Sequence, residues 1–284
     1  MGGGLRAAST GSLLSRWRAI VAESDGVVGV SALNLRTGEH ADLNGDQRFP
    51  LASVCKLPIA MNLLAMVDEG RFAIDGGIEV LPADVVRHVS EVAERWPKQR
   101  RFPLSELIQL MIATSDNTAV ETLYRIGGGA PAMAARFRQW QIDGMRIDRS
   151  ERQCGHDALG GEEAMRRFIA DPHDTATPNA TVHLLQRLFA GQLLSAASTA
   201  FVIKCLEACE TGRNRIRALL PPGTVVADKT GTTGTAPGGL NGGTNDIGVI
   251  DGKLAIAVYI KGSRQSQTAR EKIIARLAHA VLTA

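Results

Sequence analysis

Strand signals sit at the two ends of this chain and helical signals fill its middle, and that order constrains the fold more than any single motif. Neither end carries enough strands for an independent sheet, so the economical solution is one sheet shared by both ends, with the helical middle inserted. Ser12 to Asp25 carries Leu13, Leu14, Trp17, Ile20 and Val21 at helical spacing, an amphipathic opening helix. Gly26 to Asn34 reads as a buried strand, turned by Thr37-Gly38. From Ser53 to about Cys209 the signals are mostly helical, over Leu57 to Val67, Leu104 to Thr114, Ala119 to Arg125, Ala132 to Trp140 and Val182 to Leu194. Strands return after Pro221-Pro222, at Thr224 to Thr230, Thr244 to Ile250 and Lys253 to Lys261, the last two joined by an Asp251-Gly252 hairpin turn. Thr230 to Gly243, dense in Gly and Thr, reads as a long flexible loop. A capping box from Thr268 to Glu271 opens the final helix, which buries Ile273, Ile274, Leu277, Val281 and Leu282. The expected class is α/β: an antiparallel sheet flanked by helices from both chain ends, residues 1–52 plus 211–284, with an all-α lobe inserted over residues 53–210 and a cleft between them.

Several functional classes are excluded by composition. Lys and Arg total 32 against 29 Asp and Glu, a net charge of +3, too small a surplus to point to nucleic acid. The longest apolar stretch, Leu57 to Val67, is roughly half a membrane span and is interrupted by Asn62, so no membrane span is expected. The four cysteines, Cys55, Cys154, Cys205 and Cys209, are too few for a disulfide scaffold. Cys205 and Cys209, four apart on a helix, read as small core residues ahead of a metal or redox pair. The opening Met-Gly-Gly-Gly-Leu-Arg has no apolar run before a cleavage site, so no signal peptide is expected in it.

No phosphate-binding G-x-x-x-x-G-K-[ST], H-E-x-x-H or G-x-S-x-G motif is present, and the six histidines are scattered without metal spacing. A nucleophile here therefore needs a base other than histidine. Ser53-Val-Cys-Lys56 supplies one: hydroxyl and amine stand one helical turn apart, and an amine held neutral can take a serine proton. If Ser53 begins a helix, its backbone N–H is free to bind an oxyanion. Alone, this tetrapeptide arises by chance about once per chain of this size. Ser115-Asp-Asn117 after a helical segment and Lys229-Thr230-Gly231 at the end of a strand change the odds. Each triplet arises by chance in on the order of a few per cent of such chains, and the three together in this order leave chance a weight of about one in a hundred. They supply what acyl transfer by a serine requires. Ser115 can shuttle a proton to a leaving nitrogen, and Asn117 can hold an acyl-side amide. Lys229 can fix Ser115 and attract a carboxylate, and Thr232 can give a second oxyanion N–H.

With these three motifs the chain resembles the class A β-lactamases, among the penicillin-recognising serine acyltransferases, from Val27 to the final helix. Met145-Arg-Ile-Asp-Arg-Ser-Glu151 is similar to the segment that ends in that family's hydrolytic glutamate, which makes Glu151 the match. Asp174-Thr-Ala-Thr-Pro178 resembles the stretch that closes the family's Ω-loop, and by analogy Arg149 pairs with Asp174 across the loop base. Gly212 to Ala218, followed by Pro222-Gly223, is similar to the segment before the Lys-Thr-Gly strand, where Arg215 matches a carboxylate-binding arginine. The resemblance implies a β-lactamase/DD-peptidase-like fold. It implies a serine hydrolase that opens β-lactam rings through an acyl-enzyme on Ser53, with Lys56, Ser115, Glu151 and Lys229 catalytic. Asn117, Thr230, Gly231, Thr232 and Arg215 would bind substrate. No cofactor or metal is implied, the partner is a small β-lactam, the chain is expected to be a monomer, and the location is periplasmic or secreted.

The sequence departs from that family in two loops. Where the family reads Glu-x-x-Leu-Asn this chain has Glu151-Arg-Gln-Cys-Gly155, so Gly155 replaces the asparagine that helps hold the hydrolytic water. The span from Glu151 to Asp174 is about ten residues longer than usual, and the segment after Lys229 is longer too, containing Ala236-Pro-Gly-Gly-Leu-Asn-Gly-Gly243. Glu162 and Glu163, inside the first extension, read as helical surface charges. A DD-peptidase or esterase-like penicillin-binding enzyme with slow deacylation, and a non-catalytic binding relative, therefore stay open as alternatives.

Overall fold

The computed structural model describes residues 7–158 and 160–283. The chain runs α1 (Ala7–Val21), β1 (Val27–Asn34), β2 (His40–Leu43), β3 (Phe49–Pro50), a 3-10 turn (Ala52–Cys55), α2 (Lys56–Asp68) and β4 (Gly77–Glu79). There follow a 3-10 turn (Pro82–Asp84), α3 (Glu91–Arg95), β5 (Arg101–Pro103), α4 (Leu104–Ala113), α5 (Asn117–Ile126), α6 (Gly129–Gln139), α7 (Glu151–Ala158) and α8 (Gly161–Ala170). Then come β6 (Thr175–Ala176), α9 (Pro178–Phe189), α10 (Ala196–Glu207), a 3-10 turn (Ile216–Leu219), β7 (Val226–Thr232), β8 (Thr244–Ile250), β9 (Leu254–Lys261) and α11 (Gln267–Leu282).

Five strands form one antiparallel sheet in the order β2-β1-β9-β8-β7, so the first strand of the chain pairs with the last, Val30 opposite Val258. Both faces are covered, which is why β1 and β9 read as nearly continuous apolar runs. On β9 the two-residue side-chain period splits the burial. Leu254, Ile256, Val258 and Ile260 pack with Leu13 and Trp17 of α1 and Ile273, Ile274 and Leu277 of α11. Ala255, Ala257 and Tyr259 join the larger core made with the helical lobe. Trp17 is fully buried and its indole N–H donates to Leu277 O at 3.1 Å, so both its apolar body and its polar atom are satisfied. α2 is buried from Lys56 through Met66, as a helix apolar on all sides must be. It forms the axis of the inserted lobe and carries a lysine into it.

Three local readings change. The final helix is capped by Ser266, whose hydroxyl accepts from Ala269 N–H at 3.2 Å, so Thr268 lies inside the helix. With Ser266 as the cap, Ala269 and not Glu271 is the third helical residue, and Glu271 Oε1 instead accepts from Arg215 Nε and Gln267 Nε2. The Asp251-Gly252 turn is present, both residues at positive φ, but Ile250 pairs with Leu254, so the connection has three residues rather than two. β7 continues to Thr232, and the loop after it is anchored rather than loose. Asn241 Nδ2 donates to Thr233 O and Gly234 O at 3.2 and 3.1 Å, and Asn241 N–H donates to Ser263 O at 2.9 Å.

Candidate active site

Ser53 lies in the 3-10 turn that leads into α2, with Ala52 before it held at φ 46°, a left-handed conformation an alanine adopts only under constraint. The constraint is visible. Asn245 of β8 donates from Nδ2 to Pro50 O and Leu51 O at 2.8 and 3.1 Å, fixing the chain just before the turn. β7 presses on the same turn. A Cβ at Gly231 would lie 2.7 Å from Leu51 O and 3.2 Å from Val54 N, so only glycine lets the strand come this close. Thr232, the last residue of β7, therefore follows directly from the point of contact with the serine turn.

Lys56, the first residue of α2, and Lys229, at the middle of β7, are both fully buried and converge on Ser115. Lys56 Nζ stands within hydrogen-bond distance of Ser115 O at 2.8 Å, Ser115 Oγ at 3.1 Å and Asn117 Oδ1 at 2.6 Å. Lys229 Nζ donates to Ser115 Oγ at 3.2 Å and to Thr230 O at 3.0 Å. Burial, and then the neighbouring charge of Lys56, pull the Lys229 pKa down to about 8. Ser115 itself is held at φ 63° between α4 and α5. No hydrogen bond among the described residues ties Ser53 Oγ to Lys56; the lysine aims at Ser115 and Asn117 instead.

Arg215 is buried at 3% exposure beneath the end of β7. Its guanidinium donates to Thr232 Oγ1 at 2.6 Å, to Asn245 O at 2.8 Å and to Gly231 O at 3.1 Å, and pairs with Glu271 at 3.2 Å. Thr230 Oγ1 is bonded to Thr211 Oγ1 at 2.6 Å. The remaining cations near this end have other employment: Arg270 Nε donates to Thr244 Oγ1 at 2.8 Å, and Arg264 pairs with Glu162 at 2.5 Å.

Glu151 opens α7, and its Oε2 accepts from Cys55 Sγ at 3.9 Å, which sets this carboxylate against the residue between Ser53 and Lys56. Arg149 Nε meets Asp174 Oδ2 at 2.6 Å across the base of the long loop, while Asp174 Oδ1 accepts from Asp148 N–H and Arg149 N–H at 2.7 and 3.0 Å. Gly155 is exposed, four residues after Glu151, and a Cβ there would meet nothing within 4 Å. Glu162 and Glu163 sit on α8 in i,i+4 pairs with Arg166 and Arg167.

Several residues at this site have partners that no local pattern reveals. Asp116, the middle of its triplet, is fully buried: its carboxylate accepts from Ala119 N–H at 2.8 Å, Ser90 Oγ at 2.9 Å and Val92 N–H at 3.0 Å. It caps α5 and ties α3 to it. The capping position is readable from sequence, since Asp precedes a helix, but the α3 contacts are not. Asn245, Thr211, Cys55 and Glu271 are likewise fixed by partners far away in the chain. Among the described residues no group of three or more His, Cys, Asp or Glu is arranged to hold a metal ion.

A family model described as "Beta-lactamase enzyme family" matches residues 12–284. The chain is 29% identical over 278 residues to beta-lactamase VEB-1 of Pseudomonas aeruginosa, covering 95% of this chain and 89% of that one. The crystal structure of a beta-lactamase from Chitinophaga pinensis superposes with a TM-score of 0.86 at 30% identity, over 96% of this chain and 98% of the other. An ancestral class A beta-lactamase superposes with a TM-score of 0.84 at 33% identity, over 95% and 99% of the two chains.

Proposed function

The chain belongs to the β-lactamase enzyme family, as a class A serine hydrolase, and we propose that it opens β-lactam rings through an acyl-enzyme on Ser53. The observation that carries this reading is Ser115 Oγ held 3.1 Å from Lys56, which follows Ser53 by three residues, and 3.2 Å from Lys229. A hydroxyl between two amines can receive a proton on one side and give one on the other. That is what expulsion of a lactam nitrogen needs.

Ser53 attacks the lactam carbonyl, its proton passing to Lys56 or, through water, to Glu151. Backbone N–H groups of Ser53 and Thr232 stabilise the tetrahedral oxyanion, each donor contributing about 3–4 kcal/mol. Ser115 delivers a proton to the departing nitrogen, with Lys229 fixing its hydroxyl. Asn117 binds the acyl side. Lys229, Thr230, Gly231, Thr232 and Arg215 recognise the substrate carboxylate, Arg215 acting through Thr232 Oγ1. Glu151 then activates water against the acyl-enzyme. All of these groups belong to the chain itself, and the proposal needs no cofactor.

The proposed substrates are small β-lactams met in the periplasm or after secretion, and the proposed state is a monomer. Among the described residues no helix is long and apolar enough to cross a membrane. We also propose residues 1–52 plus 211–284 and residues 53–210 as the two lobes flanking the cleft. One observation favours a second reading, a penicillin-binding enzyme of DD-peptidase or esterase type. Gly155 projects no side chain toward the water Glu151 would use. Assay with a chromogenic cephalosporin tests the choice. Hydrolysis of many equivalents per protein supports the β-lactamase reading, and arrest after one equivalent supports the second.

A further inference from the structure

The two segments that exceed the family pattern pack against each other. Met165 and Phe168 of α8 meet Ala236 and Leu240 of the loop after β7 in a small apolar cluster, separate from the two main cores. The fit is close: a Cβ on Gly242 would lie 2.7 Å from Met165 Sδ. Polar contacts close its rim. Arg264 donates to Glu162 Oε1 and to Gly238 O, both at 2.5 Å.

α7 packs against this plug through Cys154. It has eight residues, too few to be stable alone in water. Of residues 151–157 only Glu151 and Cys154 are even partly buried, and Cys154 packs on the plug. The two stand three apart, on one helix face. The other contacts of α7 are polar: Arg152 N–H donates to Glu121 Oε1 at 2.7 Å, its guanidinium reaches Ala83 O at 2.8 Å, and Asp157 pairs with Arg149 at 2.8 Å. The loop after β7, by contrast, has its own anchors through Asn241, so the Thr232 edge keeps its place without the plug.

We infer that the plug of Met165, Phe168, Ala236 and Leu240 is a positioning element for Glu151, acting through Cys154, and that it governs deacylation and leaves acylation largely alone. This rests on the reading of Glu151 as the residue that activates the deacylating water and of Lys56 as the residue that takes the Ser53 proton in acylation. The extension thereby does by packing part of what the family's asparagine does by a side-chain contact. A carboxylate displaced by about 1 Å loses on the order of 10- to 100-fold in the step it serves.

Stopped-flow acylation and deacylation rate constants on a chromogenic cephalosporin test this in the full chain. Phe168→Ala and Leu240→Ala, which erode the plug from opposite sides, are each expected to slow deacylation at least about tenfold with acylation within threefold of wild type. Phe168→Leu should recover most of the loss. Equal falls in both rate constants, or no change in either, would overturn the inference, and Leu240→Ala and Phe168→Leu keep it testable if Phe168→Ala does not fold. Glu151→Gln is the control for the underlying reading. If that variant clears its adduct normally, Glu151 is misassigned. If it traps the adduct while the plug variants behave as wild type, only the plug is at fault.

Discussion

Lys229 Nζ stands 3.2 Å from Ser115 Oγ, an oxygen that the buried Lys56 reaches from the other side at 3.1 Å. Burial, and then the neighbouring charge of Lys56, pull Lys229 down to about 8. If its charge attracts the substrate carboxylate, kcat/KM for carboxylate-bearing lactams should fall as pH rises through about 8. The limb should move up in kcat, because a bound carboxylate favours the ammonium form. A pH–rate profile checks both, and Lys229→Arg should carry the kcat/KM limb out of range.

The same shift governs stability. The folded pKa lies below the 10.5 of an unburied lysine, so between about pH 8 and 10.5 the unfolded chain holds a proton the folded protein has released. Stability from this group therefore rises with pH across that window. Below pH 8 the cost of burying the charge is fully present. Lys229→Met should melt above wild type at pH 7, with the gap closing toward pH 10.5, as thermal unfolding at several pH values would show.

Arg215 reaches Thr232 Oγ1 while paired with the buried Glu271. Arg215→Ala is expected to lower kcat/KM for carboxylate-bearing lactams by about 1.5–3 kcal/mol, the scale of one charged hydrogen bond. A neutral ester substrate should lose much less. Removing the arginine also leaves a buried carboxylate unpaired, so Arg215→Ala/Glu271→Gln should recover stability without recovering carboxylate preference. Steady-state kinetics on both substrate types, with urea unfolding of each variant, separate the two effects.

Asp116 accepts three hydrogen bonds in a fully buried site. Asp116→Ala removes the α5 cap and strands Val92 N–H and Ser90 Oγ, and should cost about 2–4 kcal/mol in urea unfolding. Asp116→Asn keeps one accepting oxygen but turns an N–H donor toward Val92 N–H or Ala119 N–H, so it should cost more than half as much as alanine.

Gly155 offers open space on α7. With no side chain to hold the deacylating water, an acylation burst followed by slow turnover is expected. Gly155→Asn should speed deacylation more than acylation, and Glu151→Ala should trap the adduct. Stopped-flow traces on a chromogenic cephalosporin would show this. A burst-free wild-type trace with deacylation faster than acylation would contradict the slow turnover.

What was legible in the sequence was local. Ser53 and Lys56 are one turn apart, Ser115 and Asn117 two residues apart, and Lys229 to Thr232 one strand end, so short motifs name them. The shared sheet was legible because the apolar period changes along the chain. The clamps were not. Asn245 grips Pro50 across 195 positions, and Arg215 meets Glu271 across 56, contacts that no local pattern encodes. The loop after β7 differs from its sequence reading for a related reason. Gly and Thr density suggests flexibility between Thr230 and Gly243, but Asn241, bonded to Ser263 and Thr244 beyond the segment, and the α8 plug supply order.

The central claim is that Ser53 becomes acylated, and intact mass spectrometry during reaction with a penicillin measures it most directly. The wild-type protein should gain the mass of one penicillin within the burst and lose it as hydrolysis proceeds. Ser53→Ala, folded as judged by circular dichroism, should gain none at any time. Labelling of Ser53→Ala at the wild-type rate, or turnover of penicillin by that variant, would contradict the account.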